Sequence, residues 1–263
     1  MTEGSHGQRP VFSLRVPDRL PDASSRPVVA AVHQPNYLPW LGFFHKLRHC
    51  DVFILLDDVQ FPRHQGQGNW INRSRINVNG SPTWLSVPIQ RPSGVQMVGD
   101  VRFADHSWSS RHRRTLEVSY RKAPHFDAMT TLLDGLYAPG EDTLMAFNLR
   151  AISLVLDRLG AGDTSKIVMA STYGVASSGT DRLVDLVKAV GATTYMTGRG
   201  AGEYLEPEKF AAASIALTVQ EFVEVPRPQL RTREFVPGLS ILDALLMVGV
   251  AETNALLGTL DRR

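Results

Sequence analysis

Residues 28–56 read VVAAVHQPNYLPWLGFFHKLRHCDVFILL, and this stretch decides the fold class. Its ends, Val28–His33 and Val52–Leu56, are apolar runs like those of strands covered on both faces. Between them, Tyr37–His49 places leucines and phenylalanines at helical spacing, and Pro39 is compatible with a first turn. A strand, a helix and a strand within about 30 residues form a βαβ unit, which predicts a parallel pair of strands.

The segment that follows this unit is of a different kind. Asn69–Val78 and Thr83–Ile89 flank Asn79-Gly80, a strong signal for a two-residue hairpin, and we expect a further strand at Val98–Phe103. Helices are predicted at Ser107–Tyr120, His125–Tyr137 and Thr143–Leu159. We therefore expect an antiparallel hairpin insertion and a helical segment at about residues 60–140.

After residue 140 the predicted elements alternate. Strands are expected at Lys166–Met169, Thr193–Thr197 and Ile215–Val219, and helices at Asp181–Val190, capped by Thr180, and at Leu239–Val248, started by Ser240 or Gly238. This alternation predicts an α/β protein with a mainly parallel, Rossmann-like sheet. Residues 28–263 are expected to form a single domain, and residues 1–27 a flexible extension.

Composition excludes several classes of protein. With 43% hydrophobic and 21% charged residues, the 263-residue chain is an ordinary globular protein. Its one cysteine excludes an intrachain disulfide and a cysteine-based zinc site, and no motif predicts a metal or a cofactor. The sequence contains neither a membrane-spanning apolar run nor a secretory signal, so we expect a cytoplasmic protein.

The charge is distributed unevenly along the chain. Residues 60–122 contain ten Lys or Arg and three Asp or Glu, a local charge of +7, whereas the remaining 18 basic and 23 acidic residues sum to −5. The total of +2 argues against bulk nucleic-acid binding. The basic segment instead favours an anionic substrate or an acidic carrier protein as partner.

Two titratable side chains follow neighbouring predicted strands. His33 ends the first strand and Asp57 follows the second, at the edge of a parallel sheet where ligands bind. His33 could act as a base, an acid or a phosphate contact, and Asp57 as a base or a holder of an amine, ribose or metal. The alternatives are a histidine bonded to its own turn and a turn-forming aspartate. Because adjacent residues point to opposite faces, at most one of Asp57 and Asp58 enters the site, and we favour Asp57.

Three further segments carry side chains or glycines suited to ligand binding. Residues 69–73, NWINR, could stack on a base or clamp a phosphate, or could simply form a hairpin strand. Ser171, Thr180 and Arg182 surround a helix start, which is an anion cradle or an ordinary cap. Residues 197–204, TGRGAGEY, allow close backbone approach to a ligand or form a tight turn.

A family resemblance rests on specific strings. Residues 33–44, HQPNYLPWLGFF, followed by 51–53 and 57–61, resemble the opening of the WbqC-like family. Later blocks are similar to it at residues 69–70, 72–73, 84–85, 87–88, 120, 122–124, 180–183, 191–192, 195, 198, 202–205 and 237–243. The likeness spans about Val28 to Gly249. One departure is Pro62–Gly68, which is longer and richer in glycine than the family's usual link.

The resemblance implies an enzyme of bacterial O-antigen or natural-product biosynthesis. Such an enzyme would transfer an acyl or aminoacyl group, for example glycyl, from a carrier protein or other activated donor to an amine such as an amino sugar. His33 and Asp57 would be the catalytic residues. The substrate-binding residues would be Gln34, Asn36, Tyr37, Gln60, Asn69, Trp70, Asn72, Arg73, Lys122, Ser171, Thr180, Arg182, Gly198, Gly202 and Tyr204.

Two alternatives remain open from the sequence. A fainter similarity to the HIGH-type nucleotidylyltransferase fold, without its HxGH string, leaves an ATP-using ligase or nucleotidylyltransferase-like enzyme. The second alternative is a module that binds a carrier protein and has no catalytic activity. Lyase or cyclase chemistry in the same pocket is equally compatible with these residues.

Overall fold

The structure is a computed structural model that describes residues 26–62, 69–91, 94–161, 164–201 and 205–258. Its strands are β1 (Val29–His33), β2 (Val52–Leu55), β3 (Arg73–Val78), β4 (Ser81–Ser86), β5 (Ile167–Met169), β6 (Thr194–Thr197) and β7 (Ala216–Val219). Its helices are α1 (Leu41–Arg48), α2 (Trp108–Tyr120), α3 (Phe126–Leu136), α4 (Leu144–Arg158), α5 (Gly179–Ala189), α6 (Pro207–Ala212) and α7 (Ile241–Leu256). The α/β fold class predicted from the sequence is confirmed.

The central sheet is parallel and has the strand order β5-β2-β1-β6-β7. From β1 the chain passes through α1 to β2 and later to β5, and it then returns to the other side of β1 with β6 and β7. This reversal creates a topological switch point between β1 and β6. In open α/β sheets the crevice outside the carboxyl ends of two such strands is the usual ligand site.

Alternate residues of β1 enter two separate cores, as expected for a strand covered on both faces. Ala31 belongs to the larger core, which includes residues of α1, α2, α3, α4 and α7. Ala30 and Val32 belong to the second core, together with Phe210 of α6 and residues of α5. His33 follows the same alternation as Ala31, so its ring points toward the α1 side of the sheet.

The predicted hairpin is present as β3 and β4, which pair antiparallel. Asn79 and Gly80 both have positive φ, 51° and 87°, as a two-residue turn of type I′ requires. A Cβ on Gly80 would lie 2.3 Å from the carbonyl oxygen of Arg231, so only glycine fits there. The hairpin is attached to α7 through the bond from the Ser240 amide to the Arg75 carbonyl, 2.7 Å.

The predicted strand at Val98–Phe103 was wrong. Val98–Asp100 forms a short 3-10 helix, and Phe103 forms only an isolated bridge. The amides of Val98 and Gly99 donate to the carbonyls of Val59 and Asp57, at 2.9 and 2.7 Å. This segment therefore docks on the chain that leaves β2 instead of extending a sheet.

Two helix starts also differ from the sequence predictions. The first helix begins at Leu41 and not near Tyr37, because the preceding residues form a loop in which Leu38 has a φ of 40°. Helix α5 is capped by the backbone of Ser178, and Thr180 lies inside the helix. By contrast, Ser240 caps α7 as expected, its hydroxyl accepting from the Leu242 amide at 3.3 Å.

The described chain begins at Arg26, so nearly all of the predicted extension, residues 1–27, lies outside it. Arg26 pairs with Asp51 at 2.7 Å, next to the start of β2. Across the described ranges, no helix combines the length and the apolar character that crossing a bilayer requires.

Candidate functional site

His33 ends β1 at the switch point, with its ring against two phenylalanines. The ring centroids lie 4.9 Å from Phe43 in an edge-on contact and 6.1 Å from Phe53 in a stacked one. Nδ1 is 2.9 Å from the carbonyl oxygen of Gln34. Because a carbonyl only accepts, Nδ1 carries the hydrogen, and Nε2 keeps its lone pair. The anticipated turn bond of His33 thus exists, and no described residue makes a hydrogen bond with Nε2.

His33 is neutral at physiological pH. Burial, and after it the positive charge of Lys46, lower the pKa of its imidazole to about 3. The side chain is partly exposed at the sheet edge. The switch point therefore presents an uncharged nitrogen acceptor.

Lys46 is a candidate site residue that the sequence reasoning missed. It lies in α1, is only 7% exposed, and burial lowers its pKa. Helix α1 starts at the carboxyl edge of the sheet, and helical side chains point back toward the helix N-terminus, so the ammonium is directed to that edge. A Cβ built on Gly198, which follows β6, would lie 3.4 Å from Nζ. The only sequence signal was a lysine close to the two large apolar residues Phe44 and Leu47.

The Lys46 ammonium has no counterion in the described part of the chain. None of those residues makes a hydrogen bond or ion pair with its Nζ. The Gln220 side chain, which follows β7, closes the crevice nearby by donating to the Gly42 carbonyl at 2.7 Å and lying 3.0 Å from Nδ1 of His45. The switch point thus combines a neutral imidazole with an ammonium for which the described residues supply no counterion.

Asp57 and Asp58 both bind residues on the β5 side of the sheet. The Asp57 carboxylate accepts from the amide and the hydroxyl of Ser171, at 3.0 and 2.5 Å. Asp58 forms an ion pair of 2.6 Å with Arg182 of α5. No hydrogen bond joins Asp57 to His33 in the described residues. These contacts connect the end of β2 to the segments after β5.

The structure brings the 69–73 segment beside the loop that follows His33. The amide of Tyr37 donates to the Trp70 carbonyl at 2.9 Å, and the Ser74 hydroxyl donates to the Leu38 carbonyl at 2.8 Å. The amide nitrogen of the Asn148 side chain bridges the Pro35 and Ile71 carbonyls at 2.7 and 2.8 Å. These bonds hold Leu38 in its left-handed conformation, which costs a non-glycine residue roughly 1–2 kcal/mol.

Most side chains of the 69–73 segment are used within the protein. Arg73, 7% exposed, donates from Nε to the Asn69 carbonyl at 2.9 Å, and its guanidinium carbon lies 4.1 Å from the Trp84 ring centroid. Trp70 packs edge-on against Trp84 at 4.8 Å. The Asn72 side chain donates to the Val87 carbonyl at 3.0 Å. This segment acts as a support for the loop after β1.

Tyr37 lies in the core, where it is 0% exposed. Its hydroxyl is 2.8 Å from both the Tyr137 hydroxyl and Nδ1 of His112, while Nε2 of His112 donates to the Ser86 carbonyl at 3.1 Å. The Tyr137 hydroxyl therefore donates to the Tyr37 hydroxyl, which in turn donates to Nδ1 of His112. Burial raises the pKa of Tyr37 far above its ordinary value and lowers that of His112 to about 4. Both hydrogen-bonding functions of the Tyr37 hydroxyl are occupied.

Three buried amide oxygens near this loop have no hydrogen-bond partner among the described residues. They are the Oδ1 atoms of Asn36, Asn72 and Asn148. The Asn148 amide nitrogen binds the carbonyls of the residues that precede Asn36 and Asn72. Unsatisfied buried acceptors are rare and costly, so this junction has acceptors that a water molecule or an amine could satisfy.

The remaining predicted site residues are scattered. Gln34 contributes its carbonyl to His33, and the buried Thr180 hydroxyl accepts from the Glu206 amide at 3.3 Å. Gln60 and Lys122 are exposed. Gly202 and Tyr204 lie outside the described residues. Of the part of the chain that can be examined, no group of three or more His, Cys, Asp or Glu could hold a metal ion.

Comparison with known proteins identifies the family of the chain but assigns no reaction to it. The model of the WbqC-like protein family matches residues 34–255. The chain is also 30% identical over 221 residues to the uncharacterized protein Rv1507c of Mycobacterium tuberculosis, and the match covers 83% of this chain and 93% of that protein. No solved structure matches it significantly. The family match covers most of the chain, including His33's loop and Lys46, and the chain therefore belongs to the WbqC-like protein family.

Proposed function

We propose that the protein is an amide-forming enzyme of bacterial polysaccharide or natural-product biosynthesis. It transfers an acyl or aminoacyl group, such as glycyl, from an activated donor to an amine such as an amino sugar. The observation that carries the proposal is His33, a neutral imidazole with its tautomer fixed by the Gln34 carbonyl and its Nε2 lone pair at the switch point. An attacking amine must lose a proton, and this nitrogen is suited to accept it.

The proposed reaction uses the two unusual groups of the crevice. The amine nitrogen attacks the donor carbonyl carbon, the C–N bond forms, and the bond from that carbon to the leaving group breaks. His33 takes the proton from the amine and returns it to the departing group. The Lys46 ammonium stabilises the negative charge that develops on the carbonyl oxygen or on the leaving group.

The pKa of His33 is low as long as no ligand is bound beside it. Burial and the charge of Lys46 both disfavour the imidazolium. An anionic group bound beside Lys46 would offset that charge and raise the His33 pKa toward the range in which a base is effective. Binding of an activated, negatively charged donor would thus prepare the base for the amine.

The buried asparagine side-chain oxygens beside the loop after His33 support an amine as the substrate that accepts the acyl group. Asn36 is 4% exposed, and its Oδ1 is one of the three unpartnered acceptors there. An ammonium or amine donates hydrogen bonds and has a natural complement in such oxygens. Asp57, which the sequence favoured for this role, is instead hydrogen-bonded to Ser171.

An ATP-using ligase is the second candidate, and Lys46 is the observation that favours it. A buried ammonium at the switch point of a Rossmann-like sheet suits the phosphate of a nucleotide. In that case the enzyme would activate a free carboxylate itself, and would release a phosphate product. In the transfer reaction the donor arrives already activated.

The experiment is a product search by mass spectrometry. The purified protein is incubated with a panel of amino sugars and either carrier-bound aminoacyl thioesters without ATP or free amino acids with ATP. Transfer predicts an acylated amine from a thioester in the absence of ATP. A product that requires ATP would support the ligase, whereas salt-sensitive binding of the carrier protein without any acylated amine would contradict both enzymes and support a binding module.

A further inference from the structure

The Lys46 ammonium has no negatively charged partner among the described residues. The residue is only 7% exposed, its Nζ still reaches solvent, and no described residue makes a hydrogen bond or ion pair with that atom. A charge at the end of a largely buried side chain is costly without a partner, and groups with perturbed pKa values cluster at functional sites. A negatively charged ligand would supply the missing counterion.

The surroundings of the ammonium define the space for that ligand. Gly198 carries no side chain, and a Cβ there would come within 3.4 Å of Nζ. Its position directly after β6 places the backbone of the 198–200 segment at the carboxyl edge, and Gly200 is exposed. Glycines allow a ligand to approach the backbone closely. The exposed Arg199 between them adds a second positive charge to this segment.

We infer that the crevice between β1 and β6 binds a phosphate group of a substrate, held by the Lys46 ammonium and the backbone of the Gly198 segment. This inference names the class of substrate as one that carries a phosphate, and in that sense it rests on the proposed function. A phosphate has oxygens for both contacts at once, and its charge complements an ammonium for which the described residues supply no counterion. Nucleotides, nucleotide sugars and coenzyme A-type donors all carry this group.

The test measures binding without turnover. Calorimetric titrations of the full-length protein use pyrophosphate, ATP, a uridine diphosphate amino sugar and coenzyme A, each with no amine or acyl donor added. We expect at least one of these probes to bind, and Lys46→Met to weaken it at least tenfold. The control is Lys188→Met, which changes an exposed lysine of α5 and should leave the affinity unchanged.

A second variant guards against a loss caused by misfolding. Gly198→Ala places a methyl group in the space next to Nζ, in ordinary contact distance and without positive-φ strain, so the fold should survive. It should weaken the same probe. Circular dichroism and thermal unfolding confirm that both variants are folded.

The outcomes separate this inference from the proposed function. Failure of all four probes to bind, or equal affinity in the wild-type protein and Lys46→Met, would overturn the phosphate site. The probe that binds most tightly identifies the phosphate as that of a nucleotide, a nucleotide sugar or a coenzyme A-type arm. Phosphate binding that depends on Lys46 would stand even if the product search found no amide, and amide formation without such binding would refute the inference alone.

Discussion

At the scale of single residues, the proposed chemistry depends on His33, whose imidazole is neutral, and on Lys46, whose ammonium has no counterion among the described residues. His33 could be predicted from sequence because it ends an apolar strand, a position that the order of strand and helix already defines. Lys46 could not, because its importance depends on the direction of its side chain along α1 and on a glycine distant in the sequence. Only the packed structure shows that this ammonium lies beside Gly198.

The first prediction concerns the coupling of His33 and Lys46. Lys46→Met removes the positive charge that disfavours the imidazolium, so the His33 pKa should rise from about 3 while remaining below 6.5, because burial persists. Long-range proton–nitrogen NMR of the imidazole measures this pKa, with Lys188→Met as the control. An unchanged or lower pKa in Lys46→Met would show that the two groups do not interact.

The second prediction concerns Tyr37, which the sequence placed among substrate-binding residues. Tyr37→Phe removes the hydroxyl between Tyr137 and His112 and leaves buried polar groups unpaired, which should cost about 1–3 kcal/mol of unfolding free energy. Urea unfolding measures the loss, and Tyr173→Phe, at a partly exposed position, should be close to neutral. A direct role in substrate binding would instead raise KM while leaving stability intact.

At the scale of elements, sequence patterns were reliable where local signals agreed. The apolar strands, the Asn79-Gly80 hairpin and the capped helix α7 all carry such signals. The strand expected at Val98–Phe103 was wrong because its amides bond to carbonyls after β2, a long-range contact that no local pattern encodes. The start of α1 was shifted for a similar reason, since the loop before it is held by residues 70–74.

The third prediction tests the connection between the ends of β2 and β5. Asp57→Ala and Ser171→Ala each remove one partner of the hydroxyl–carboxylate hydrogen bond, so their effects on unfolding free energy should be less than additive, with a coupling of about 1 kcal/mol. Only Asp57→Ala also removes the bond from the Ser171 backbone amide. Urea unfolding of both single variants and the double variant gives the coupling. If the losses add fully, Asp57 contributes through other contacts. A catalytic Asp57 would further require Asp57→Ala to abolish turnover while Ser171→Ala retains it.

At the scale of the whole molecule, burial of neutral histidines makes stability depend on pH. Burial is the largest cause that lowers the pKa values of His33, His45 and His112, to about 3, 4 and 4. The unfolded chain binds protons at these sites below about pH 6.5, whereas the folded protein does not. Their contribution is therefore present above pH 6.5 and is lost as the pH falls toward 4. Asp243, whose pKa is raised by burial, acts in the opposite direction, since its contribution is lost as the pH rises through that raised value.

The fourth prediction follows from the direction of the histidine pKa shifts. The unfolding free energy should fall between pH 6.5 and 4.5, by up to about 1.4 kcal/mol per pH unit for the buried His112 and by less for the partly exposed His33 and His45, where solvent screens the charge. Urea unfolding across this range measures the slope. His112→Gln should flatten the slope, because the most buried of the three histidines is lost, whereas a change at the exposed His106 to Gln should not. A stability that is constant over this range would mean that the histidines titrate normally in the folded protein.

The central claim is that chemistry takes place at the switch point between β1 and β6, with His33 as the proton acceptor. The most direct measurement is the rate of amide formation by His33→Ala under saturating substrates, compared with His106→Ala and with the exposed α5 variant Lys188→Ala. We predict that His33→Ala lowers kcat about 100- to 10,000-fold with an intact circular dichroism spectrum, and that both comparison variants stay near the wild-type rate. A folded His33→Ala protein with near-normal kcat would contradict the claim.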